Sequence, residues 1–134
     1  QCEAGGEGDN GMKAVACVVM NRVHTPYGEF ARVSQGGSIR NIIYQPRQFV
    51  CASETESGKY NPQNIYNMSP EQIHFDIANW AIAGNRLLNL GQALFFYNPF
   101  SPNCRPNFPS NIGYFVTRIG DHCFYNPTDA YKDT

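Results

Sequence analysis

The segment 12–23 constrains the fold most, because its apolar side chains cover most of a helical wheel. A helix with so few polar positions is largely buried, and we predict one here. The turn at residues 9–11 leads into it, and either Asp9 or Asn10 is placed to accept hydrogen bonds from the free N–H groups of its first turn.

A short helix is predicted after Ser38, which is suited to cap it. This helix must end before Pro46, since the residue preceding proline avoids the helical region. Residues 24–37 and 53–68 are rich in glycine and polar side chains, and we predict that both stretches are loops.

The clearest helical pattern begins at Ser69. We predict Ser69 as the N-cap, Pro70 at the first helical position and Gln72 as the second half of a capping box. Gly84 is a natural C-terminal stop.

The last third of the chain is aromatic and β-branched. Segments 93–99, 113–120 and 122–127 are short, separated by Pro, Asn and Gly, and typical of strands. Together with the helices, they predict an α+β fold with a small antiparallel sheet in the C-terminal third.

Length and charge exclude several classes of protein. The chain has 134 residues, enough for one domain over residues 1–134, and a net charge of −1. Lysine and arginine are scattered, whereas a nucleic-acid-binding face would need a basic cluster. No stretch approaches the roughly 18 apolar residues of a membrane span.

The five cysteines cannot all pair with one another. Cys17 lies inside an apolar run and is expected to be a buried thiol. A bond between Cys104 and Cys123 is conceivable, but free thiols are the favoured interpretation. No zinc-ribbon or metalloprotease spacing occurs, so we predict no metal and no other cofactor.

Glu3 and Glu7 flank two glycines at the edge of the predicted buried helix. A partly buried carboxyl there could act as a general acid, with the glycines leaving room for a polymer. From spacing alone, the favoured interpretation is that both are solvated carboxylates near the start of the helix. No local signature supports cysteine–histidine catalysis.

Aromatic and amide side chains recur in a way that suits carbohydrate, because rings can stack on sugars while amides bond hydroxyls. Alternate members must nevertheless point into a core, and Phe95 and Tyr97 are expected to face opposite to Phe96. The candidates are Tyr44, Gln45, Phe49, Phe95, Phe96, Tyr97, Asn98, Tyr114 and Phe124.

Four motifs occur in a specific order along nearly the whole chain. They are the EAGGE segment with its following NRV, then IYQPRQF, ALFFYNP and GDHCFY. Together they resemble the spore cortex-lytic cell wall hydrolases, the SleB/CwlJ family, and the ending is closer to the CwlJ branch. We expect the chain to lack the helix that precedes the first motif in this family.

The resemblance implies a lysozyme- or lytic-transglycosylase-like domain that cleaves the bond between N-acetylmuramic acid and N-acetylglucosamine. It makes Glu3 the catalytic acid and base, and Glu7 a supporting carboxylate. Arg22 is expected to be structural and to pair with a carboxylate. Candidate substrate-binding residues are Tyr44, Gln45, Phe49, Tyr97, Asn98 and His122, the last of which could equally be structural.

The resemblance also implies peptidoglycan strands as the partner, an accessory germination protein as a further one, and a location outside the cytoplasm, in the spore coat, cortex or wall. Two other functions stay open. The chain could be an N-acetylmuramoyl-L-alanine amidase, or a glycan-binding module without catalysis.

Overall fold

A computed structural model describes residues 1–134. Its central element is helix α1, Gly8–His24, which contacts the next three helices and the C-terminal sheet. The predicted buried helix is therefore confirmed, but it begins earlier than expected. Asp9 and Asn10 lie inside its first turn and do not cap it, because Glu7 occupies the N-cap position.

Helix α2, Gly28–Ser34, replaces part of the loop predicted for residues 24–37. A free N–H group of its first turn finds its hydrogen-bond acceptor near the far end of the chain. The Phe30 N–H donates to the hydroxyl of Tyr131, 3.0 Å away, and this hydroxyl donates to the Tyr27 carbonyl at 3.1 Å. A helix held by such distant contacts leaves no local signal.

Helix α3, Ile39–Ile43, has the predicted cap, since Ser38 Oγ accepts the Asn41 N–H at 3.0 Å. The segment continues through a 3₁₀ turn, Val50–Ala52. The following stretch is mostly loop, as predicted, with a two-stranded hairpin of β1, Thr55–Glu56, and β2, Lys59–Tyr60.

Helix α4, Gln72–Ile82, starts later than predicted. Glu71 is its N-cap and forms a reciprocal capping box with His74, so the predicted cap at Ser69 is wrong. The capping-box pattern requires Glu or Gln at the third helical position, so a search for that pattern does not find a histidine there. The predicted stop is confirmed, because Gly84 has a φ of +100°.

The C-terminal sheet is confirmed. Strands β3, Phe95–Tyr97, β4, Gly113–Ile119, and β5, His122–Pro127, form an antiparallel sheet in the order β3-β5-β4. Phe96 packs with Phe124 on one side of the sheet, whereas its two neighbours pack on the other, as alternation predicts. No helix in the structure has both the length and the apolar character to cross a membrane.

Two apolar clusters share α1 between them. One joins α1 to α2, α3, the sheet face that carries Tyr125 and the C-terminal 3₁₀ helix, Asp129–Asp133, which carries Tyr131. The other places Cys17 and Val18 against Phe124. The central helix therefore fixes the helical layer and the sheet relative to one another.

Two disulfides close the chain on itself. Cys2 bonds Cys51 and Cys104 bonds Cys123, while Cys17 stays a buried free thiol as predicted. The free-thiol expectation for Cys104 and Cys123 is wrong. The loop after β3 folds back over β5 and brings their Cα atoms to 5.9 Å, a proximity that exists only in the folded chain.

Candidate active site

Glu3 lies in the turn that leads into α1. This turn is closed by hydrogen bonds from the Gly5 N–H to the Gln1 carbonyl, 2.8 Å, and from the Glu7 N–H to the Ala4 carbonyl, 3.0 Å. The bond between Cys2 and Cys51 attaches the turn to the 3₁₀ segment, Val50–Ala52. The glutamate that the sequence singled out is thus held by two separate parts of the chain.

Burial raises the pKa of Glu3 above its ordinary value. The charge of His122 and a hydrogen bond from the Val50 backbone oppose this rise without cancelling it. An apolar cavity of about 540 Å³ adjoins the carboxyl, and side chains such as Val15, Val19 and Phe49 line it. Such surroundings disfavour the charged form of a carboxyl group.

Glu7 has a different environment. One carboxylate oxygen accepts the Asp121 backbone N–H at 2.7 Å, and the other contacts Nδ1 of His122. The side chains of Glu7 and His122 are only 12% and 11% exposed. Glu7 therefore links the beginning of α1 to the turn between β4 and β5, and it is not the solvated carboxylate that spacing alone favoured.

Two glycines make room for the Glu7 side chain. A Cβ on Gly11 would lie 2.7 Å from the Cβ of Glu7, and one on Gly120 would lie 3.1 Å from its Oε1. Gly120 also has a φ of +58°, a conformation that side chains rarely adopt. Gly6, by contrast, faces open space, which agrees with the proposed access for a polymer.

His122 contacts Glu7 and lies near Glu3. Its Nδ1 contacts Glu7, and its ring packs edge-on against Phe96 with centroids 5.4 Å apart. His122 also lies close enough to Glu3 to affect the pKa of that carboxyl group. Because a carboxylate only accepts hydrogen bonds, the contact with Glu7 places a proton on Nδ1. The structure thus brings three predicted site residues together.

Arg22 is structural, as expected, but its partners differ from the expectation. The buried guanidinium donates from Nε to the Leu94 carbonyl at 2.7 Å and from Nη1 to Gln48 Oε1 at 3.1 Å, and it lies 4.6 Å from the ring centroid of Phe30. Burial lowers its pKa to about 10. Neutral oxygens accept its hydrogen bonds, where a carboxylate was predicted.

The residues of the second motif have partners inside the protein. Phe49 is buried below Arg22, and Gln45 Nε2 donates to Glu29 Oε1 at 3.0 Å. The ring of Tyr44 lies 4.6 Å from the Arg40 guanidinium. Phe49 lines the apolar cavity next to Glu3. A substrate-binding role for these three residues stays a prediction.

Tyr97 is the last residue of strand β3, and Asn98 follows it. The Tyr97 ring stacks on Phe108 at 4.3 Å, and its hydroxyl accepts the Arg105 N–H at 3.1 Å. Asn98 Oδ1 accepts the Phe100 N–H at 2.8 Å. Tyr97 is part of the scaffold in this arrangement, while Asn98 shapes a turn at the surface. Their binding to substrate likewise stays a prediction.

Sequence reasoning missed the support for the Glu3 turn. Asn61 is fully buried, and its amide donates to the carbonyls of Val50 and Ser53, each at 2.8 Å. Asn64 donates to Ser53 at 2.9 Å. The sequence feature that could have indicated this support is a pair of asparagines, three positions apart, in a polar loop. They hold the segment whose backbone bonds Glu3.

A metal site does not follow from the cluster of Cys2, Glu3 and Cys51, although their ligand atoms lie within 4.8 Å of one another. The two sulfur atoms are joined in a disulfide and are not thiolates. The cluster therefore offers a single carboxylate ligand.

The family model described as "Cell Wall Hydrolase" matches residues 6–125. The chain belongs to the cell wall hydrolase family. The resemblance deduced from the four motifs is thereby confirmed, and membership identifies the protein as an enzyme that acts on the cell wall. The match includes Glu7 and His122 but begins after Glu3, so the role of Glu3 is argued from its surroundings.

Individual relatives of this cell wall hydrolase agree with the assignment. The chain is 27% identical over 128 residues to the cell wall hydrolase CwlJ of Bacillus subtilis, which covers 96% of this chain and 80% of that protein.

Two solved structures share the fold. The catalytic domain of the germination-specific lytic transglycosylase SleB from Bacillus anthracis aligns with a TM-score of 0.64 and 23% identity, over 93% of this chain and 85% of that one. The Bacillus cereus SleB catalytic domain gives the same TM-score of 0.64 at 24% identity, over 93% and 81%. The predicted fold, similar to lytic transglycosylases, is confirmed.

Proposed function

We propose that the protein cleaves the bond between N-acetylmuramic acid and N-acetylglucosamine in peptidoglycan as a lytic transglycosylase, with Glu3 as both acid and base. The raised pKa of Glu3 carries this proposal. A general acid has to keep its proton near the working pH, and the apolar surroundings of Glu3 favour the protonated form.

The reaction needs two proton transfers by one carboxyl group. Glu3 gives its proton to the glycosidic oxygen as the bond from that oxygen to C1 of the muramic acid breaks. The resulting carboxylate then takes the proton of the muramic 6-hydroxyl while O6 bonds to C1. The products are a free 4-hydroxyl on N-acetylglucosamine and a 1,6-anhydro-muramic end, and Glu3 is protonated again.

Glu7 acts in this scheme through His122. Both of its carboxylate oxygens have partners, the Asp121 N–H and the His122 imidazole, so it is poorly placed to attack a sugar. Ordinary glycosidases use a second carboxylate as nucleophile or as base for water. A transglycosylase requires neither, and Glu7 is assigned a positioning role.

The two disulfides support a site of action outside the cytoplasm, because such bonds persist in oxidising compartments. The spore cortex as substrate and an accessory germination protein as an additional partner are part of this proposal, and they rest on the motif resemblance to the spore cortex-lytic hydrolases.

The test is digestion of purified cortex peptidoglycan followed by mass spectrometry of the fragments. We expect anhydro-muramic ends. Reducing ends would show a hydrolase, free stem peptides an amidase, and binding without fragments a glycan-binding module. Chelator treatment should leave the activity intact, because the proposed chemistry needs no metal.

Glu3→Gln should lower the rate at least a hundredfold, since it removes the acid and base but keeps the size of the side chain. The matched control is Glu56→Gln, in the exposed hairpin strand β1, which should retain full activity. Equal activity of the two variants would contradict the assignment of the acid.

A further inference from the structure

A second, polar cleft of about 420 Å³ lies between the loop after β3 and the turn between β4 and β5. Its lining residues are Asn98, Phe100, Ser101, Pro102, Arg118 and Asp121. Asp121 belongs to both places, because its backbone N–H donates to Glu7 while its residue lines the cleft. The cleft is therefore connected through Asp121 to the Glu7 side of the candidate active site.

Phe100 is presented to solvent in an unusual way. It is 90% exposed and has a φ of +51°, a left-handed conformation that is unfavourable for a bulky side chain. Its N–H is held by Asn98 Oδ1 at 2.8 Å. Strained residues of this kind persist only where the surroundings impose them, and they concentrate at binding sites.

The loop that carries Phe100 is fastened at several points. Arg118 donates from Nη1 to the Ser101 carbonyl at 2.9 Å and from Nε to the Gly120 carbonyl at 3.3 Å. The bond between Cys104 and Cys123 closes the loop onto strand β5. The backbone that presents the aromatic ring is thus preorganised, which lowers the entropy lost on binding.

The polar groups of the cleft fit an uncharged sugar. Arg118 retains N–H groups on Nη2 that bond nothing in the protein, and the Asp121 carboxylate can accept hydrogen bonds. One cation and one anion leave the cleft without net charge, so it has no net electrostatic preference for an anionic ligand. Sugar hydroxyls and acetamido groups, which donate and accept, satisfy both.

We propose that this cleft is a glycan subsite, in which Phe100 stacks on an N-acetylhexosamine ring of the strand beyond the bond that is cleaved. The inference rests on the proposed function, because it takes the same polymer as ligand. The subsite proposal specifies that the protein recognises the sugar chain and not the stem peptide. It also names Phe100 as the residue that recognises the sugar.

The experiment measures binding in the Glu3→Gln background, so that turnover does not consume the ligand. The probes are purified peptidoglycan and glycan strands from which the stem peptides have been removed. Phe100→Ala should weaken binding to both roughly three- to tenfold, whereas Phe100→Trp should retain it. Leu88→Ala, which removes a fully exposed apolar side chain between α4 and β3, should bind unchanged.

Phe100→Gly separates binding from stability, because glycine accepts the left-handed conformation. This variant should bind as weakly as Phe100→Ala while its melting temperature stays equal to or above that of the parent. Unchanged binding by Phe100→Ala would overturn the subsite. Weaker binding to intact peptidoglycan alone would overturn the sugar assignment in favour of the stem peptide.

The two proposals fail in different ways. Phe100-dependent binding of bare strands, with no cleavage by the parent protein, would refute the transglycosylase function and support the subsite. Cleavage by the parent protein, with binding that does not depend on Phe100, would refute the subsite alone.

Discussion

Glu3 and Glu7 are four residues apart in one glycine-rich segment, yet the fold gives their carboxyl groups different surroundings. Glu3 borders an apolar cavity, and Glu7 accepts a backbone N–H and contacts an imidazole. The motifs identified both residues and His122 by resemblance. They did not predict the Asp121 N–H or the space left by Gly120, because these depend on where the turn between β4 and β5 lies.

The raised pKa of Glu3 predicts a pH-dependent stability difference. Between its ordinary value of 4.5 and the raised value, the folded protein holds this proton more tightly than the unfolded chain. Stability therefore decreases as the pH rises through that window. Glu3→Gln should be more stable than the parent above the window and lose the advantage below it. Thermal unfolding of both proteins across pH 3 to 8, roughly the range where carboxyl and histidine groups titrate, measures the difference.

A difference that is constant across the range would contradict this prediction, because it would show that Glu3 ionises in the folded and unfolded states alike. Glu56→Gln, on the exposed hairpin, is the control that should follow the parent at every pH.

The Glu7 contacts predict an effect on turnover more than on binding. Glu7→Gln keeps an acceptor for the Asp121 N–H but presents an amide N–H₂ to Nδ1 of His122, which favours the opposite imidazole tautomer. We expect kcat to fall roughly ten- to a hundredfold with KM nearly unchanged. Steady-state kinetics on soluble glycan strands provide both values.

The same pair predicts non-additivity. Once Glu7→Gln has released the imidazole, adding His122→Gln should reduce kcat by much less than His122→Gln does alone. Fully additive losses would mean that the two residues act independently.

At the level of elements, the sequence predicted those that carry their own signals. Ser38 caps its helix, Gly84 ends another, and the three aromatic strands pair as expected. It missed α2, whose first turn is capped by the hydroxyl of Tyr131. A partner 101 positions away is invisible to any local pattern.

In the turn between β4 and β5, Gly120 leaves space for the Glu7 side chain. Adding a methyl group at this position, as in Gly120→Ala, should therefore disturb Glu7. Gly120→Ala places a Cβ 3.1 Å from Glu7 Oε1 at a φ of +58°. Gly91→Ala is the matched control, because its φ is +59° and its nearest neighbour is at an ordinary 3.5 Å. Both should lose about 1 kcal/mol of stability from backbone strain, but only Gly120→Ala should also reduce activity. Denaturant unfolding and muropeptide release measure the two effects.

In the molecule as a whole, side-chain and disulfide bonds connect parts of the chain that are distant in sequence. Composition could not predict this, because an odd number of cysteines shows only that they cannot all pair with one another. The first disulfide ties the Glu3 turn to the segment that Asn61 anchors, and the second ties the Phe100 loop to β5. Each crosslink therefore holds one proposed part of the substrate path.

Loss of each disulfide is expected to impair a different property, cleavage in one case and binding of long strands in the other. From their sequence separations of 49 and 19 residues, the chain-entropy model gives roughly 4 and 3 kcal/mol of stabilisation.

Replacing Cys2 and Cys51 by alanine should abolish most of the cleavage of short glycans, because the Glu3 turn loses its attachment to Val50. Replacing Cys104 and Cys123 should instead weaken binding of long strands, because the Phe100 loop is released. Cys17→Ala should keep the sensitivity of the parent to dithiothreitol, since this thiol forms no bond. The measurement is activity on short and on long glycans, below the melting temperature of each variant. If the two double replacements reduced activity on both substrates equally, the division of roles would be contradicted.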